Sequence, residues 1–348
     1  MLETSLHTYS KGSPVTSHDI ARRARVSQST VSRVLTGNTK VGKEARERVI
    51  AAVRELGYRP NAMARAMRTS QTGNIGVVVS RLANPLYPEL LQILGKCLNG
   101  AGFRMVVWNS DELDEKAAMD AIHESRVDGV IMTTATADST PLYEALRLNA
   151  PVVLINRVVE GWPCDQVSSD NLGGGHKVAE YLFKSGRRRI GLITGPDDAS
   201  TIRDREVGFR RTLKALGNPI DSMHCVTVDV FSYKTGFDAA SRLLDLADYP
   251  DAIFCVNDVI ALGARDAARA RGIEVPADLW IVGYDDIEMA SWHSFDLTTI
   301  RQPLALMAET AINLLLQRIR GIGDGWQHVC LPNDLVIRSS TARYAASG

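Results

Sequence analysis

The first sixty residues carry apolar side chains at helical spacing in three short stretches, which predict three helices. The first begins at Thr16 or Ser17, either of which can serve as its N-cap. The second begins at Ser27, about two residues after the first ends, and the third spans about 43–56 and ends at Gly57. The side chains expected to face inward are Ile20, Ala21 and Ala24 in the first helix, Val31, Val34 and Leu35 in the second, and Ala45, Val49, Ala52, Val53 and Leu56 in the third.

The second of these helices places polar side chains opposite its apolar stripe, namely Gln28, Ser29, Ser32 and Arg33. Two short helices joined by a tight turn form a helix-turn-helix, whose second helix presents hydrogen-bonding side chains to base edges in the major groove. The alternative interpretation is that these residues are only the solvated face of a small helical bundle.

From Asn74 onward, short apolar runs alternate with amphipathic stretches, which is typical of a parallel α/β sheet. The alternation restarts after Asp170 and Asn171, so two similar lobes are predicted. The expected strands are IGVVVS, RMVVWN, GVIMT and PVVLIN in the first half and IGLIT, HCVTVDV, AIFCVND and WIVGYDD in the second, with helices from Tyr87, Glu115 and Pro141 and after Asn171.

Composition places the chain among globular proteins, since 45% of its 348 residues are hydrophobic and 23% are charged. No apolar run approaches the ~18 residues that a membrane span requires, and the first twenty residues lack the apolar segment of a secretory signal. We therefore expect a cytoplasmic protein. Its five cysteines are scattered and form no CxxC pair, which predicts free thiols and no metal site.

The formal net charge is zero, but the charge is unevenly distributed. Residues 1–69 hold 13 Lys or Arg against 5 Asp or Glu, and the remaining residues hold 27 against 35. A basic module ahead of an acidic body indicates that the first segment binds a polyanion, which favours the DNA-reading interpretation of the second helix.

Residues 15–67, VTSHDIARRARVSQSTVSRVLTGNTKVGKEARERVIAAVRELGYRPNAMARAM, resemble the DNA-binding head and hinge of the lac repressor family. The resemblance implies that Gln28, Ser29 and Arg33 read bases in the major groove. It also implies phosphate or minor-groove contacts by a wider set: Thr16, Ser27, Thr30, Ser32, Asn38, Tyr58, Asn61, Ala64 and Met67.

Three residues depart from the family pattern. Arg25 stands where the family has Gly in the turn, so we expect a left-handed backbone at an arginine or a slightly different turn. Thr36 replaces the usual Asn. Gly42 replaces the Ser or Thr that usually caps the third helix, which weakens that cap.

The segment 60–71 resembles the family's hinge helix, which folds only when two subunits pair over DNA. A helix this short seldom survives alone in water. The resemblance implies a homodimer in which Ala64 lies near its dyad mate and Met67 enters the minor groove as an apolar wedge. An ordinary flexible linker is the alternative.

The second part of the chain resembles the sensor domain of the same family and the periplasmic sugar-binding receptors, through motifs such as NPLYPEL, SDNLGGG, FCVNDVIALGA and VPADLWIVGYDD. The resemblance implies a small polar effector, a sugar or sugar derivative, bound beyond the carboxyl ends of the strands. The implied ligand contacts are Arg205 as anchor, Asn257 and Asp285 as hydroxyl binders, Tyr87 and Phe231 as walls, and Asn156.

Some of these assignments have alternatives. Arg203 competes with Arg205 for the anchoring role, and Tyr87 could be a core residue between the lobes. Asp258 and Asp286 are expected to cap helices rather than to contact ligand.

The predicted organisation is a disordered extension at 1–14, a helix-turn-helix domain at 15–59, a hinge helix and linker at 60–71, and a two-lobed ligand-sensing and dimerisation domain at 72–345. Its N-lobe comprises about 72–171 and 301–330, and its C-lobe about 172–300 and 331–345. The predicted function is a DNA-binding transcriptional repressor under allosteric control.

Two other classes of protein fit the residues less well. The chain has no GxSxG elbow, HExxH motif, P-loop or dinucleotide fingerprint, so we expect neither an enzyme nor a cofactor. A transport receptor would need export and would have no use for a basic head. Whether the effector releases or tightens DNA binding, and which sugar it is, are left open.

Overall fold

A computed structural model describes residues 15–35, 40–58, 71–109, 114–124 and 126–341. The chain divides into two compact units between Thr72 and Gly73. We call the first unit the head and the second the sensor, and each is described by itself. The predicted N-terminal extension and almost all of the predicted hinge helix lie outside the described residues.

The head contains three helices: α1 (Ser17–Ala24), α2 (Gln28–Leu35) and α3 (Lys43–Glu55). Thr16 caps α1 in a capping box, because its hydroxyl accepts the amide of Asp19 while the Asp19 carboxylate accepts the amide of Thr16 at 2.9 Å. The apolar faces of the three helices meet in one small core around Ile20, Val31 and Val49. Three helices at the predicted positions confirm this part of the sequence interpretation.

The turn between α1 and α2 has three residues rather than the predicted two. Arg25 adopts φ 52° and ψ 50°, which confirms the expected left-handed backbone at a position suited to glycine. Gly57 likewise has φ 58° just after α3, and Gly42 offers α3 no side-chain cap, as predicted. Leu35 was predicted to face inward, and this is wrong: it is 38% exposed, because it lies at the last position of α2 and Val31 and Val34 already fill the core.

The sensor contains two parallel sheets. The strands of the first sheet are β1 (Asn74–Val79), β2 (Arg104–Asn109), β3 (Gly129–Met132), β4 (Val152–Ile155), β5 (Asp165–Ser169) and β11 (His328–Leu331). Those of the second are β6 (Ile190–Thr194), β7 (Cys225–Thr227), β8 (Ala252–Cys255) and β9 (Trp280–Val282). The first sheet has the order β11-β5-β4-β3-β1-β2, and the second has the order β7-β6-β8-β9.

Helices cover both sheets. Those of the first lobe are α4 (Leu86–Gly100), α5 (Asp114–His123), α6 (Thr140–Arg147) and α11 (Leu304–Ile319). Those of the second lobe are α7 (Asn171–Lys184), α8 (Ser200–Ala215), α9 (Tyr233–Leu244) and α10 (Asp258–Ala270). Two 3₁₀ turns, Ser222–His224 and Glu288–Ser291, and an antiparallel pair, β10 (Thr299–Arg301) with β12 (Asp334–Val336), complete the second lobe.

The chain crosses between the lobes three times: from β5 to α7, from β10 to α11, and from β11 to β12. Each lobe is therefore built from distant parts of the sequence. Every strand predicted from an apolar run is present. Strand β5 was not predicted because its sequence is polar, yet it is fully buried, and Arg318 pairs with Asp165 at its start.

Helices α7 and α8 of the second lobe pack closely against each other. A Cβ on Gly175 would lie 2.1 Å from the carbonyl oxygen of Arg205, and a Cβ on Gly208 would lie 2.0 Å from that of Leu172. The two helix backbones can touch only because both positions are glycine. As a result the Arg205 side chain comes within hydrogen-bonding distance of Asn171, the first residue of α7.

Candidate functional site

A cavity of about 230 Å³ lies between the two lobes, at the carboxyl ends of several strands. Parallel α/β sheets bind their ligands at this edge. All six residues predicted to bind ligand line this cavity, which we call the cleft. The lining residues are Arg81, Ala83, Asn84, Leu86, Tyr87, Asn156, Arg157, Thr201, Ile202, Arg205, Asp229, Val230, Phe231, Asn257 and Asp285.

Arg205 is the best-anchored side chain of the cleft and is only 2% exposed. Its Nη2 lies 2.9 Å from Oδ1 of Asp285, its Nε donates to Asn171 at 2.9 Å, and its Nη1 donates to the carbonyl of Val256 at 2.7 Å. The guanidinium also stacks on Tyr284, 3.7 Å from the ring centroid. These contacts fix its orientation in advance and leave other N–H groups of the guanidinium available to a ligand.

Arg203, the rival anchor, has a different environment. Its side chain is 42% exposed and pairs with Glu160 and with Asp204 near the rim. Because α8 presents Arg205 and Arg203 on different faces, only Arg205 lines the cleft.

Asp285 is buried, and its backbone has a positive φ of 120°. Its Oδ1 accepts both Arg205 and the amide of Gln302 at 2.8 Å. Burial raises the pKa of Asp285, and the charge of Arg205 opposes that rise. Asp286 was expected to cap a helix, which is wrong: its carboxylate pairs with Arg301 at 2.6 Å and with Arg338 at 2.7 Å.

Asn257 and Asp258, at the start of α10, do not divide their roles as expected. Asn257 is the N-cap of α10, because its Oδ1 accepts the amide of Ile260 at 2.9 Å, so the expectation that Asp258 caps this helix is wrong. Asp258 instead accepts the hydroxyl of Thr299 at 2.6 Å and the amide of Ile287 at 3.0 Å. Burial and the nearby charge of Asp285 raise the pKa of Asp258 to about 8.

The remaining predicted contacts line the cleft in different ways. Asn156 is buried, and its backbone has a positive φ of 77°. Its Oδ1 accepts no hydrogen bond from the described residues. Tyr87 is 5% exposed, so it is both a core residue and a wall. Phe231 is half-buried, with the guanidinium of Arg81 5.6 Å from its ring centroid.

The sequence interpretation missed two arginines of the cleft, Arg81 and Arg157. Each is the second residue after an apolar strand of the first sheet, where side chains converge at the carboxyl edge. That position was the available signal.

The head presents the predicted DNA-reading residues on the outer face of α2, where Gln28, Ser29 and Arg33 are exposed. The Gln28 amide donates to the hydroxyl of Ser17 at 2.8 Å, which ties it to the start of α1. The Ser27 hydroxyl lies 2.8 Å from those of Ser29 and Thr30 and accepts the Thr30 amide at 3.2 Å.

The other predicted DNA contacts are distributed unevenly. Thr16 is exposed beside the capping box of α1, and Ser32 is half-buried on α2. Tyr58 packs, half-buried, against the head core. Four more, Asn38, Asn61, Ala64 and Met67, lie outside the described residues.

Within the described residues, no helix has the length and apolar character that crossing a bilayer demands. No cluster of three or more His, Cys, Asp or Glu side chains that could hold a metal ion occurs among the same residues.

Family models match both units. Residues 16–61 match the model described as "Bacterial regulatory proteins, lacI family", and residues 179–341 match a periplasmic binding protein-like domain. The ribose operon repressor of Escherichia coli strain K12 is 35% identical over 308 residues, which cover 87% of this chain and 93% of that protein.

Solved structures show the same architecture. The lac repressor dimer bound to operator and the anti-inducer ONPF is 30% identical and has a TM-score of 0.84, covering 95% of this chain and 100% of that one. The complex of the transcriptional regulator CelR with cellobiose is 32% identical with a TM-score of 0.72, covering 94% of this chain and 99% of that one. These proteins are transcriptional regulators rather than enzymes.

Proposed function

The chain belongs to the lacI family of bacterial regulatory proteins, and we propose that it is a sequence-specific DNA-binding repressor whose operator affinity is set by a sugar-like ligand in the cleft. The observation that carries the ligand half of this proposal is the pre-oriented pair of Arg205 and Asp285 in the cleft wall. We infer that the chain works as a homodimer in the cytoplasm, with a head at 15–59, a hinge at 60–71 and a sensor at 72–345.

In this proposal the exposed face of α2 enters the major groove. Arg33 can donate two hydrogen bonds to a guanine, and Gln28 can pair in the same manner with an adenine. Ser27 and Thr30 lie at the start of α2, where hydroxyls and free backbone amides suit a phosphate. The hydrogen bond from Gln28 to Ser17 holds the reading side chain in place before DNA arrives.

The cleft offers both donors and acceptors to a polyol. Arg205 donates, and the Asn156 Oδ1 accepts, since no described residue satisfies it. Asn257 can donate through its Nδ2, while its Oδ1 already accepts the amide of Ile260 in the cap of α10. Phe231 supplies an apolar face for one side of a sugar ring.

Ligand binding would change the balance between open and closed lobes. The lobes touch at both rims: the Ser200 hydroxyl accepts the Val158 amide at 2.9 Å, and the Glu89 carboxylate accepts the Glu288 amide at 2.8 Å. A ligand held by both lobes stabilises the state in which these contacts form. Because the first lobe leads directly into the predicted hinge, the spacing of two hinges in a dimer would change with closure.

The DNA half of the proposal is tested by fluorescence anisotropy with an operator selected from random duplexes. Replacing Arg33 by Ala should weaken operator binding by about 1–3 kcal/mol and relax one base position. Replacing Arg33 by Lys keeps the charge but loses the bidentate contact, so affinity for random duplex should be retained while specificity falls. Unchanged specificity in both variants would contradict the assignment.

The ligand half is tested by thermal-shift screening of sugars and sugar derivatives against the purified chain. Any compound that stabilises the wild type should lose its effect in Arg205→Met and keep it in Arg203→Met, because only the first arginine lines the cleft. A bound sugar that is indifferent to Arg205 would contradict the proposed site.

A further inference from the structure

Arg157 is a buried arginine without a counter-ion. It follows β4 at the edge of the cleft, and only 5% of the residue is exposed. Its Nη1 donates to the carbonyl of Thr134 at 3.1 Å, while its Nε has no hydrogen-bond partner. No carboxylate of the described residues lies within 4.0 Å of its guanidinium nitrogens.

Three other buried or half-buried arginines of the sensor are paired with a carboxylate, whereas the half-buried Arg187 and Arg265, which do not line the cleft, form no such pair. Arg205 pairs with Asp285, Arg318 with Asp165 and Arg338 with Asp286. A guanidinium that is taken out of water without an anion is costly, so buried charges are normally paired. Burial indeed lowers the pKa of Arg157.

A second arginine increases the positive charge at the same place. Arg81 and Arg157 both line the cleft, and both also line an adjoining polar cavity of about 300 Å³ in which Ser80, Thr134, Thr136 and Ser139 supply hydroxyls. The charge of Arg81 further lowers the pKa of Arg157. Two guanidinium groups therefore face the space where the two cavities join.

Two groups of the protein act in favour of the charged Arg157: the Tyr87 hydroxyl, which interacts with its side chain, and the carboxylate of Asp198 from the second lobe. Asp198 lines the adjoining cavity, and its charge raises the pKa of Arg157, but it forms no ion pair with it. Asp198 therefore reduces the electrostatic cost without supplying the hydrogen bonds that Arg157 lacks.

We propose that the effector is an anionic sugar derivative whose carboxylate or phosphate binds Arg157 and Arg81, while its hydroxyls contact Arg205, Asp285 and Asn156. This inference rests on the proposed function, since it assigns the chemical class of the ligand in the same cleft. An oxyanion supplies both the counter-charge and the acceptor for the Nε of Arg157. Asn156, which carries no charge, adds a hydroxyl-binding group beside the anion without repelling it.

Isothermal titration calorimetry of the full chain with matched pairs tests the proposal. Ribose is compared with ribose 5-phosphate. Glucose is compared in turn with glucose 6-phosphate, gluconate and glucuronate. At least one anion should bind about tenfold or more tightly than its neutral parent, as expected for charged hydrogen bonds. The phosphate and carboxylate arms distinguish the two sources of the anion.

Variants then assign the preference to the arginine. Arg157→Gln should abolish the preference for the anion, Arg157→Lys should keep most of it, and the exposed control Arg203→Gln should leave it unchanged. Arg157→Gln should melt no lower than the wild type without ligand, because it removes an uncompensated charge. If this variant does not fold, Arg81→Gln provides the test: it should weaken binding of the anionic sugar and leave binding of the neutral sugar unchanged.

The opposing outcomes are equally distinct. Neutral sugars that bind as tightly as their anions, no binding by any anion of the panel, or a preference that survives Arg157→Gln would each overturn the proposal. So would an Asp198→Asn variant that weakens anion binding as much as Arg157→Gln, since Arg157 would then serve to pair with Asp198 on closure. A neutral sugar that binds in an Arg205-dependent way leaves the proposed function intact, whereas failure to prefer any operator contradicts that function itself.

Discussion

Replacing Arg205 by Met should strongly destabilise the sensor as well as abolish ligand binding. The change leaves Asp285 buried without its counter-charge and removes the donors to Asn171 and to the Val256 carbonyl. Breaking a buried ion pair from one side costs about 3–5 kcal/mol. That is a large part of the roughly 5–15 kcal/mol that holds a typical domain folded.

The loss should depend on pH. Burial places the folded-state pKa of Asp285 above its ordinary value, and Arg205 limits that rise. Without Arg205 the pKa rises further. A carboxyl of this kind contributes stability below its unfolded pKa and loses it as pH rises through the folded pKa. The difference in free energy of unfolding between wild type and Arg205→Met should therefore shrink as pH falls from about 8 to about 5.

Urea unfolding followed by tryptophan fluorescence and circular dichroism measures these free energies. Arg203→Met is the matched control and should change stability by no more than about 0.5 kcal/mol, since its pairs are exposed. The double variant Arg205→Met/Asp285→Asn should be more stable than Arg205→Met at pH 8, because it removes the stranded charge. A loss below about 1 kcal/mol for Arg205→Met, or one equal to that of Arg203→Met, would refute the reasoning.

Three further substitutions test the fold. Arg25→Gly should stabilise the head by about 1 kcal/mol and so raise its melting temperature, because glycine adopts the left-handed backbone at this position without strain. An unchanged melting temperature would contradict this. Asp258→Asn should remove a loss of sensor stability that the wild type shows as pH rises toward about 8, and parallel pH profiles would count against it. Gly263→Ala, whose Cβ would lie 2.1 Å from the carbonyl of Tyr233, should cost about 1–3 kcal/mol or more in urea unfolding, whereas Gly100→Ala, with open space around it, should cost nothing.

Much of the fold could be predicted because most buried strands of the sensor are apolar runs and the first two head helices begin at capping hydroxyls. Buried polar residues whose partners lie far away in the sequence could not be predicted in this way. The polar strand β5 is buried because Arg318, more than 150 positions away, pairs with Asp165. The outward position of Leu35 depends on where α2 ends, which periodicity alone does not fix.

The cleft shows the same division. Polar residues at strand ends were sound candidates, because parallel strands bring their carboxyl ends to one edge. The choice between Arg205 and Arg203 needed the rotation of α8, and the roles of Asn257 and Asp258 needed the hydrogen bonds at the start of α10. The position of Arg157 after an apolar strand could have marked it as a candidate, but its lack of a counter-ion could be seen only in the structure.

Selection of duplexes from a random pool by the full chain tests the central claim most directly. Wild type should enrich a near-palindromic sequence, and Gln28→Ala should change the preferred base at one position of each half-site while binding to random duplex keeps its dependence on salt. Enrichment of no sequence by the wild type, or of the same sequence by both proteins, would contradict base reading by α2.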